Sequence, residues 1–333
     1  MTQTHLSREI FPGIHCITLP LPGKRPGPVN AYLFVGDTVT LLDTGTSRTV
    51  DILGHALAEL GMSFSDIDRI MVTHGHLDHY GGAKKIKEAS RFEIELVATE
   101  EDIRGVETGN TVPQASTSFF LRTMGVPFLF PPLMRTLNFF FARMADNCPV
   151  DAIMEEGQRL DLGKYEATVV RTPGHTRGSV CLFLEKEGIL FSGDHILKHV
   201  TPNALPMLED WPGLPERKSQ VEFYESIERI EALEPAVLHT GHGKSITDLA
   251  SIAEFYRAAF EARQKKVLSM IRPKNDSVFT IARRLFPNIE RNLRFPMEMY
   301  LAISEVYTHL QVLEEEGEVC TALEKNRLRV YRN

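Results

Sequence analysis

A chain of 333 residues with 43 % apolar and 24 % charged side chains can fill one large core, or a large and a small one, which argues against a disordered chain. The formal net charge of −7 argues against whole-molecule attraction to nucleic acid or to an anionic membrane. Four scattered cysteines (Cys16, Cys148, Cys181, Cys320) form no C-x-x-C pair, so no zinc knuckle or redox motif is expected and a reducing cytoplasm fits best.

The N-terminal stretch MTQTHLSREIFPGIHC has no basic start followed by an apolar run, so no signal peptide is expected. Short runs rich in Val, Ile, Leu and Phe then recur: Ala31–Val35, Val39–Leu42, Ile70–Thr73, Glu95–Ala98, Glu166–Arg171, Val180–Leu184, Ile189–Ser192 and Ala236–Thr240. Each is stopped by Gly, Asp or Pro and reads as a strand. Between them Thr49–Leu60, Gly82–Ala89 and Lys218–Leu233 repeat apolar residues at three and four positions, the helical spacing. Strands mixed with helices over residues 1–250 predict a layered α/β domain.

Residues 101–150 break this rhythm. They include TSFFLRTMGVPFLFPPLMRTLNFFFARM, with seven of the 19 phenylalanines, and are too long for a simple connection. The expectation is an inserted helical lid. Arg122, Arg135, Arg143 and several prolines interrupt the segment, so it does not read as a membrane span. Beyond residue 250 come a helix over 250–272, a short helix Val278–Phe286, a longer one Pro296–Gly317, and a hairpin of Val319–Leu323 and Leu328–Arg332. Helix, helix, hairpin is the outline of a winged-helix-like domain, so residues 251–333 are expected to form a helical linker and that second domain. Residues 261–333 hold 13 Lys and Arg against 10 Asp and Glu, so the acidic balance lies in the first 260 residues.

The chemistry concentrates in MVTHGHLDHYGG, residues 71–82, which follows a strand directly. His74, His76, Asp78 and His79 stand there; His175 follows Glu166–Arg171 in TPGHT, Asp194 follows Ile189–Ser192 in SGDH, and His242 follows Ala236–Thr240 in TGHG. Four strands thus end in residues of metal-ligand type. Such ends converge along one edge of a layered α/β fold, and imidazole with carboxylate is the usual ligand set of zinc and other first-row divalent metals.

The string H-x-H-x-D-H, with single His, Asp and His after later strands, resembles the metallo-β-lactamase superfamily of binuclear metallohydrolases, with a glyoxalase II-like metal motif covering roughly residues 10–250. The resemblance implies an αββα sandwich and two divalent metal ions, zinc foremost, with iron and manganese left open by a ligand set of nitrogen and oxygen only. It implies that His74, His76 and His175 hold one metal, that Asp78, His79 and His242 hold the other, and that Asp194 bridges them, so that Asp78 and Asp194 are the catalytic carboxylates. Two such cations share a water and present hydroxide at neutral pH. Asp43, in LLDTG, matches a family position that orients a ligand histidine, with helix capping as the plainer alternative. Lactam-cleaving relatives often carry a cysteine where Asp194 stands, and flavodiiron proteins a carboxylate where His76 stands; neither activity is expected here.

The substrate reading is softer. An apolar lid suits an acyl chain, so a small-molecule thioester or lactone is expected, with His195, Phe119 and Phe120 as candidate substrate contacts. The lid can equally fill its own core or form a homodimer contact. The C-terminal unit is similar to an extension on a subgroup of the superfamily that includes an endoribonuclease. Its long helix nevertheless carries Glu298, Glu305, Glu314, Glu315 and Glu316 where a groove-reading helix needs Lys or Arg, which makes nucleic acid the lesser reading. No membrane partner is expected. A metal-dependent endoribonuclease, a mononuclear iron dioxygenase acting on persulfides and a metal-dependent regulator stay open as alternatives.

Overall fold

Strand β3 (Val29–Val35) shows why the first half of the chain is layered. Its residues point alternately to two faces, as a pleated strand requires. Tyr32 and Phe34 enter one apolar core and Val29, Ala31 and Leu33 another, which is why the strand reads as a continuous apolar run. The structure, a computed structural model, describes residues 6–22, 26–91, 93–109, 114–128, 142–208, 213–272, 276–289 and 295–333.

Two compact units are present, one of residues 1–111, 141–202 and 226–250, the other of residues 112–140, 203–225 and 251–333. The first contains two sheets. One has seven strands in sequence order: β1 (Ser7–Phe11), β2 (Ile14–Leu19), β3, β4 (Val39–Leu42), β5 (Arg69–Met71), β6 (Glu95–Ala98) and β7 (Ala152–Ile153). The other has five: β8 (Arg159–Asp161), β9 (Glu166–Arg171), β10 (Val180–Leu184), β11 (Ile189–Gly193) and β12 (Val237–Thr240), ordered β12-β11-β10-β9-β8. The sheets face each other across a core that combines Ile14, Phe34 and Met71 with Val169, Leu182 and Phe191. The outer face of the first sheet is covered by helices Val50–Glu59 and Ala83–Ala89, which bury Leu53, Leu57 and Ile86. Beside the second sheet, Ser226 and Arg229 of helix Ser219–Ala232 donate to the carbonyls of Pro173 and Arg171, both at 2.9 Å.

β4, β5 and β6 run parallel, and β9, β11 and β12 share one direction in the second sheet, so the carboxyl ends of each group open on one edge. Crevices beyond such ends are where α/β folds seat their ligands. The β1–β2 hairpin and the short β7 and β8 were not expected from the sequence. SREIF and IHCITL mix charged and polar residues into their apolar pattern, and β7 and β8 are too short to carry a period.

In the second unit, helix Gln114–Thr123 contributes Phe120 and Leu121 to a core shared with helices Leu249–Met270, Val278–Leu285 and Phe295–Glu315. A three-stranded sheet, β13 (Asp276–Ser277), β15 (Arg327–Arg332) and β14 (Val319–Glu324), completes it. Lys325 and Asn326 both take positive φ, 48° and 61°, which a two-residue hairpin turn between β14 and β15 demands. Residues 114–128, 203–208 and 213–225 therefore group with the C-terminal unit, not with the domain to which their position in the chain assigned them. Of the expected lid, helices Glu100–Thr108 and Gln114–Thr123 and the turn Ala142–Met144 are seen, while residues 110–113 and 129–141 lie outside the described residues. Among the described residues no helix is long and apolar enough to cross a membrane.

Candidate metal centre

All seven expected ligands meet at the open strand ends. His74 and His76 lie in the turn after β5, Asp78 and His79 on the single-turn helix Leu77–Tyr80, His175 in the loop after β9, Asp194 directly after β11 and His242 just beyond β12. Their donor atoms form three groups within 4.8 Å: His74, His76 and His175; His74, His79 and Asp194; Asp78, His79 and His242. The first and third are the two trios that the sequence pattern implied.

In the first trio, Nδ1 of His76 lies 3.0 Å from Nε2 of His74 and 3.1 Å from Nε2 of His175. A tetrahedral zinc with bonds of 2.0–2.1 Å would separate its ligand nitrogens by about 3.3 Å. In the second, Nε2 of His242 is 3.5 Å from Asp78 Oδ2, and Asp194 lies between the trios, 3.5 Å from Nε2 of His79, 3.2 Å from Nε2 of His242 and 3.9 Å from Nε2 of His175. Nε2 of His79, Nε2 of His242 and Oδ1 of Asp194 are buried with no hydrogen-bond partner. Polar atoms left so are costly unless something else satisfies them, and a divalent cation is the group that neutral imidazole and carboxylate both satisfy. The residues present fit such a cation.

The far sides of the rings are fixed. Asp43 Oδ2 accepts from Nδ1 of His79 at 2.8 Å, and its Oδ1 accepts from the Thr73 backbone N–H at 2.8 Å. Asp43 itself sits at φ 61°, a left-handed conformation that Asp tolerates better than most residues, and this turns the chain sharply after β4. His242 donates from Nδ1 to the Pro28 carbonyl at 3.0 Å. His79 and His242 are thus both held with Nε2 facing the other donors, the tautomer needed to bind a metal through Nε2. The loop of His242 is clamped across the sandwich: Asn30 Nδ2 donates to the carbonyls of Thr240 and Gly243, and Tyr32 Oη donates to Thr240 at 2.7 Å. Gly241 is required by close approach, since a Cβ there would stand 2.3 Å from Asp194 Oδ1.

The charges follow from this crowding. Burial disfavours ionised Asp78 and Asp194, but His79 and His242 outweigh it, bringing Asp78 to about 2 and Asp194 well below the ordinary carboxylate value. Burial alone would neutralise His242, yet Asp194 and Asp78 lift it to about 10. His74, with no carboxylate as close, is pushed well down by burial and by its neighbouring imidazoles. His76 is pushed down as well, first by burial, so these two rings of the first trio are held toward the neutral form, whereas the second trio is a mixed set of rings and a carboxylate.

A superfamily profile supplies the family. The model of the metallo-beta-lactamase superfamily matches residues 25–242. This chain belongs to that superfamily, and it is a metallo-hydrolase. Among its relatives is "Probable metallo-hydrolase YqjP" of Bacillus subtilis, 29 % identical over 316 residues that cover 93 % of this chain and 95 % of that one. "Acyl-coenzyme A thioesterase MBLAC2" of Homo sapiens is 29 % identical over 185 residues, covering 54 % of this chain and 60 % of the other. The solved metallo-beta-lactamase family protein TTHA1429 of Thermus thermophilus superposes with a TM-score of 0.74 at 26 % identity, over 98 % of this chain and all of that one. The superfamily binds divalent metals, and this chain has histidine and aspartate groups that could hold them.

The candidate substrate contacts fare differently. His195 is only 1 % exposed, and Phe120 is fully enclosed in the core of the second unit, its ring edge-on to Tyr307 at 5.3 Å. A ring closed in on every side has no face to offer a substrate, so Phe120 is a packing residue; Phe119 beside it is partly exposed. Sequence reasoning overlooked Asn30, Tyr32, Thr73 and Asp102. The first three lie on or beside strands where their polarity looks incidental, and Asp102 looks like an ordinary first-turn helix acid.

Proposed function

We propose that the chain is a binuclear metal-dependent hydrolase of a small, apolar ester-like substrate, a thioester or lactone, with zinc as its working metal. The observation that carries this reading is the pair of donor trios with Asp194 between them, together with the buried Nε2 atoms of His79 and His242 and Oδ1 of Asp194, which have no hydrogen-bond partner. One metal would be held by His74, His76 and His175 and the second by Asp78, His79 and His242, with the Asp194 carboxylate shared. Cations so held would supply a water of lowered pKa as nucleophile and a Lewis acid for the substrate's carbonyl.

The chain's own residues do the placing. Asp43 keeps the His79 proton on Nδ1, Pro28 does the same for His242, and Asn30 with Tyr32 holds the His242 loop against the first sheet. Asp78 and Asp194 stay ionised far below neutral pH and so act as anions, not as proton donors. His76 and Asp78 are partly exposed, which gives a substrate its approach from their side. The likeness to a named acyl-coenzyme A thioesterase supports the thioester over the lactone.

The alternative of an endoribonuclease using the C-terminal unit has one observation in its favour: Glu305, Glu314 and Glu315 are engaged by Arg263, Thr321 and Lys218 within that unit, which leaves less free negative charge on the long helix than the sequence suggested. Initial turnover of a medium-chain acyl thioester and of single-stranded RNA by the zinc-loaded protein separates the two, with Asp78→Ala as the inactive control. Thioester hydrolysis lost in Asp78→Ala supports the proposal. RNA cleavage without thioester hydrolysis overturns it, and oxygen consumption with one iron per chain replaces it by the dioxygenase reading.

A further inference from the structure

Asp102 lies in the first turn of helix Glu100–Thr108, carries no ligand and is 4 % exposed. Its Oδ2 accepts from the backbone N–H of Gly75 at 2.7 Å and from Thr176 Oγ1 at 2.8 Å, and its Oδ1 accepts from the backbone N–H of Gly178 at 3.2 Å. Gly75 is the residue between His74 and His76, and Thr176 follows His175. One carboxylate therefore joins two loops about a hundred residues apart in sequence, and those loops carry all three members of the first trio.

The fit on both loops is close. A Cβ at Gly178 would stand 2.5 Å from Asp102 Cγ, and one at Gly75 would stand 3.2 Å from Asp102 Cβ. The second trio has separate supports, Asp43 for His79 and the Pro28 carbonyl for His242. The helix bearing Asp102 also has tethers of its own: Thr99 Oγ1 donates to the Gly178 carbonyl at 2.7 Å, and Glu101 pairs with Arg171. Asp102 is thus not needed to dock the helix, and its three acceptor bonds all go to the loops of His74, His76 and His175.

We infer that Asp102 is a positioning residue that sets the spacing of His74, His76 and His175 and so the affinity of the metal they hold, while leaving the other metal alone. The inference rests on the ligand reading proposed above. Partners that orient metal ligands typically change affinity 10–100-fold when removed. Asp102→Asn is isosteric but presents an N–H₂ to donors, so at least one of the three bonds becomes a clash of hydrogens.

The test is chelator-competition titration of zinc and cobalt(II) into metal-free wild type, Asp102→Asn, Thr176→Val and His76→Ala, with folding checked by circular dichroism and amide exchange followed at Gly75 and Gly178. Asp102→Asn should weaken one metal equivalent at least 10-fold, leave the other within twofold, and speed exchange at Gly75 and Gly178 in the metal-free protein. Thr176→Val, which removes a single donor, should move the same equivalent by a smaller factor and serves if Asp102→Asn does not fold. Equal weakening of both equivalents, or none, overturns the inference. His76→Ala keeps the two ideas apart: if it binds both equivalents like wild type the ligand reading itself fails, whereas loss of one equivalent there with none lost in Asp102→Asn refutes only the role of Asp102.

Discussion

Replacing Asp43 should separate stability from metal affinity, because its carboxylate serves two purposes at once. It accepts from Thr73 N at 2.8 Å, from Thr73 Oγ1 at 2.9 Å and from His79 Nδ1 at 2.8 Å, all fully buried. Asp43→Ala leaves the Thr73 N–H and the His79 Nδ1–H without partners, at about 1–3 kcal/mol each, and puts a Cβ-bearing residue with no compensating side chain at φ 61°, at about 1 kcal/mol more. The total, roughly 3–7 kcal/mol, should lower the melting temperature by about 10–20 °C. Asp43→Asn tolerates the same φ and can keep its oxygen on Thr73 N, so it should cost only about 1 kcal/mol. Its amide N–H₂ then faces His79 Nδ1, which must accept, and the ring proton moves to Nε2, the atom 3.5 Å from Asp194. Metal affinity at the second trio should drop 10–100-fold in a protein that melts nearly like wild type. Differential scanning calorimetry and chelator competition on the two variants give both numbers. Wild-type affinity in Asp43→Asn would refute the tautomer argument.

Other consequences are as direct. His309, enclosed beside Arg263 and bonded to Gln264, is pushed down to about 3 by burial and then by that arginine. Its folded pKa lies below the unfolded value, so its contribution is complete above about pH 6.5 and is lost as the pH falls from there toward 3; His309→Gln should flatten the fall in urea midpoint between pH 7 and 4.5, and an unchanged slope would discard this histidine as the cause. Gly241→Ala forces a Cβ onto Asp194 Oδ1 and should reduce bound metal, measured by atomic emission, far more than it lowers the melting temperature. Phe120→Ala should destabilise by about 3–5 kcal/mol as a large cavity in the second core, while Phe120→Leu should leave thioester KM within twofold; a large KM change in the leucine variant would restore Phe120 as a substrate contact.

The convergence of the seven donor side chains was legible because the strands that carry them are short, strongly apolar and ended by those donors, so period and motif reinforce each other. Val39–Leu42, Glu95–Ala98, Glu166–Arg171 and Val180–Leu184 lie where their patterns place them. The β1–β2 hairpin was hidden because the outward residues of SREIF are charged, and alternation over five residues is a weak signal. Asp102, Asn30 and Tyr32 were illegible for a different reason. Their partners are backbone groups in segments 27 to more than 200 positions away, and nothing local marks a side chain whose purpose is to accept from, or donate to, a distant loop. The grouping of residues 114–128 with the C-terminal unit was equally beyond local reading, since an apolar helix does not announce which core it enters.

The hydrogen bonds from Asn30 to the loop of His242 span more than 200 residues, and that separation orders events in time. Neither trio is complete on the first sheet alone: His74 and His76 await His175, and Asp78 and His79 await His242. At about 5–20 residues per second, His242 leaves the ribosome roughly 10–30 s after His74. His175 completes the first trio roughly 5–20 s after His74, while Asp78 and His79 still wait for His242. The second trio is therefore finished last, by the loop after the final strand of the first unit, so the two halves of the cluster are assembled at different times during synthesis.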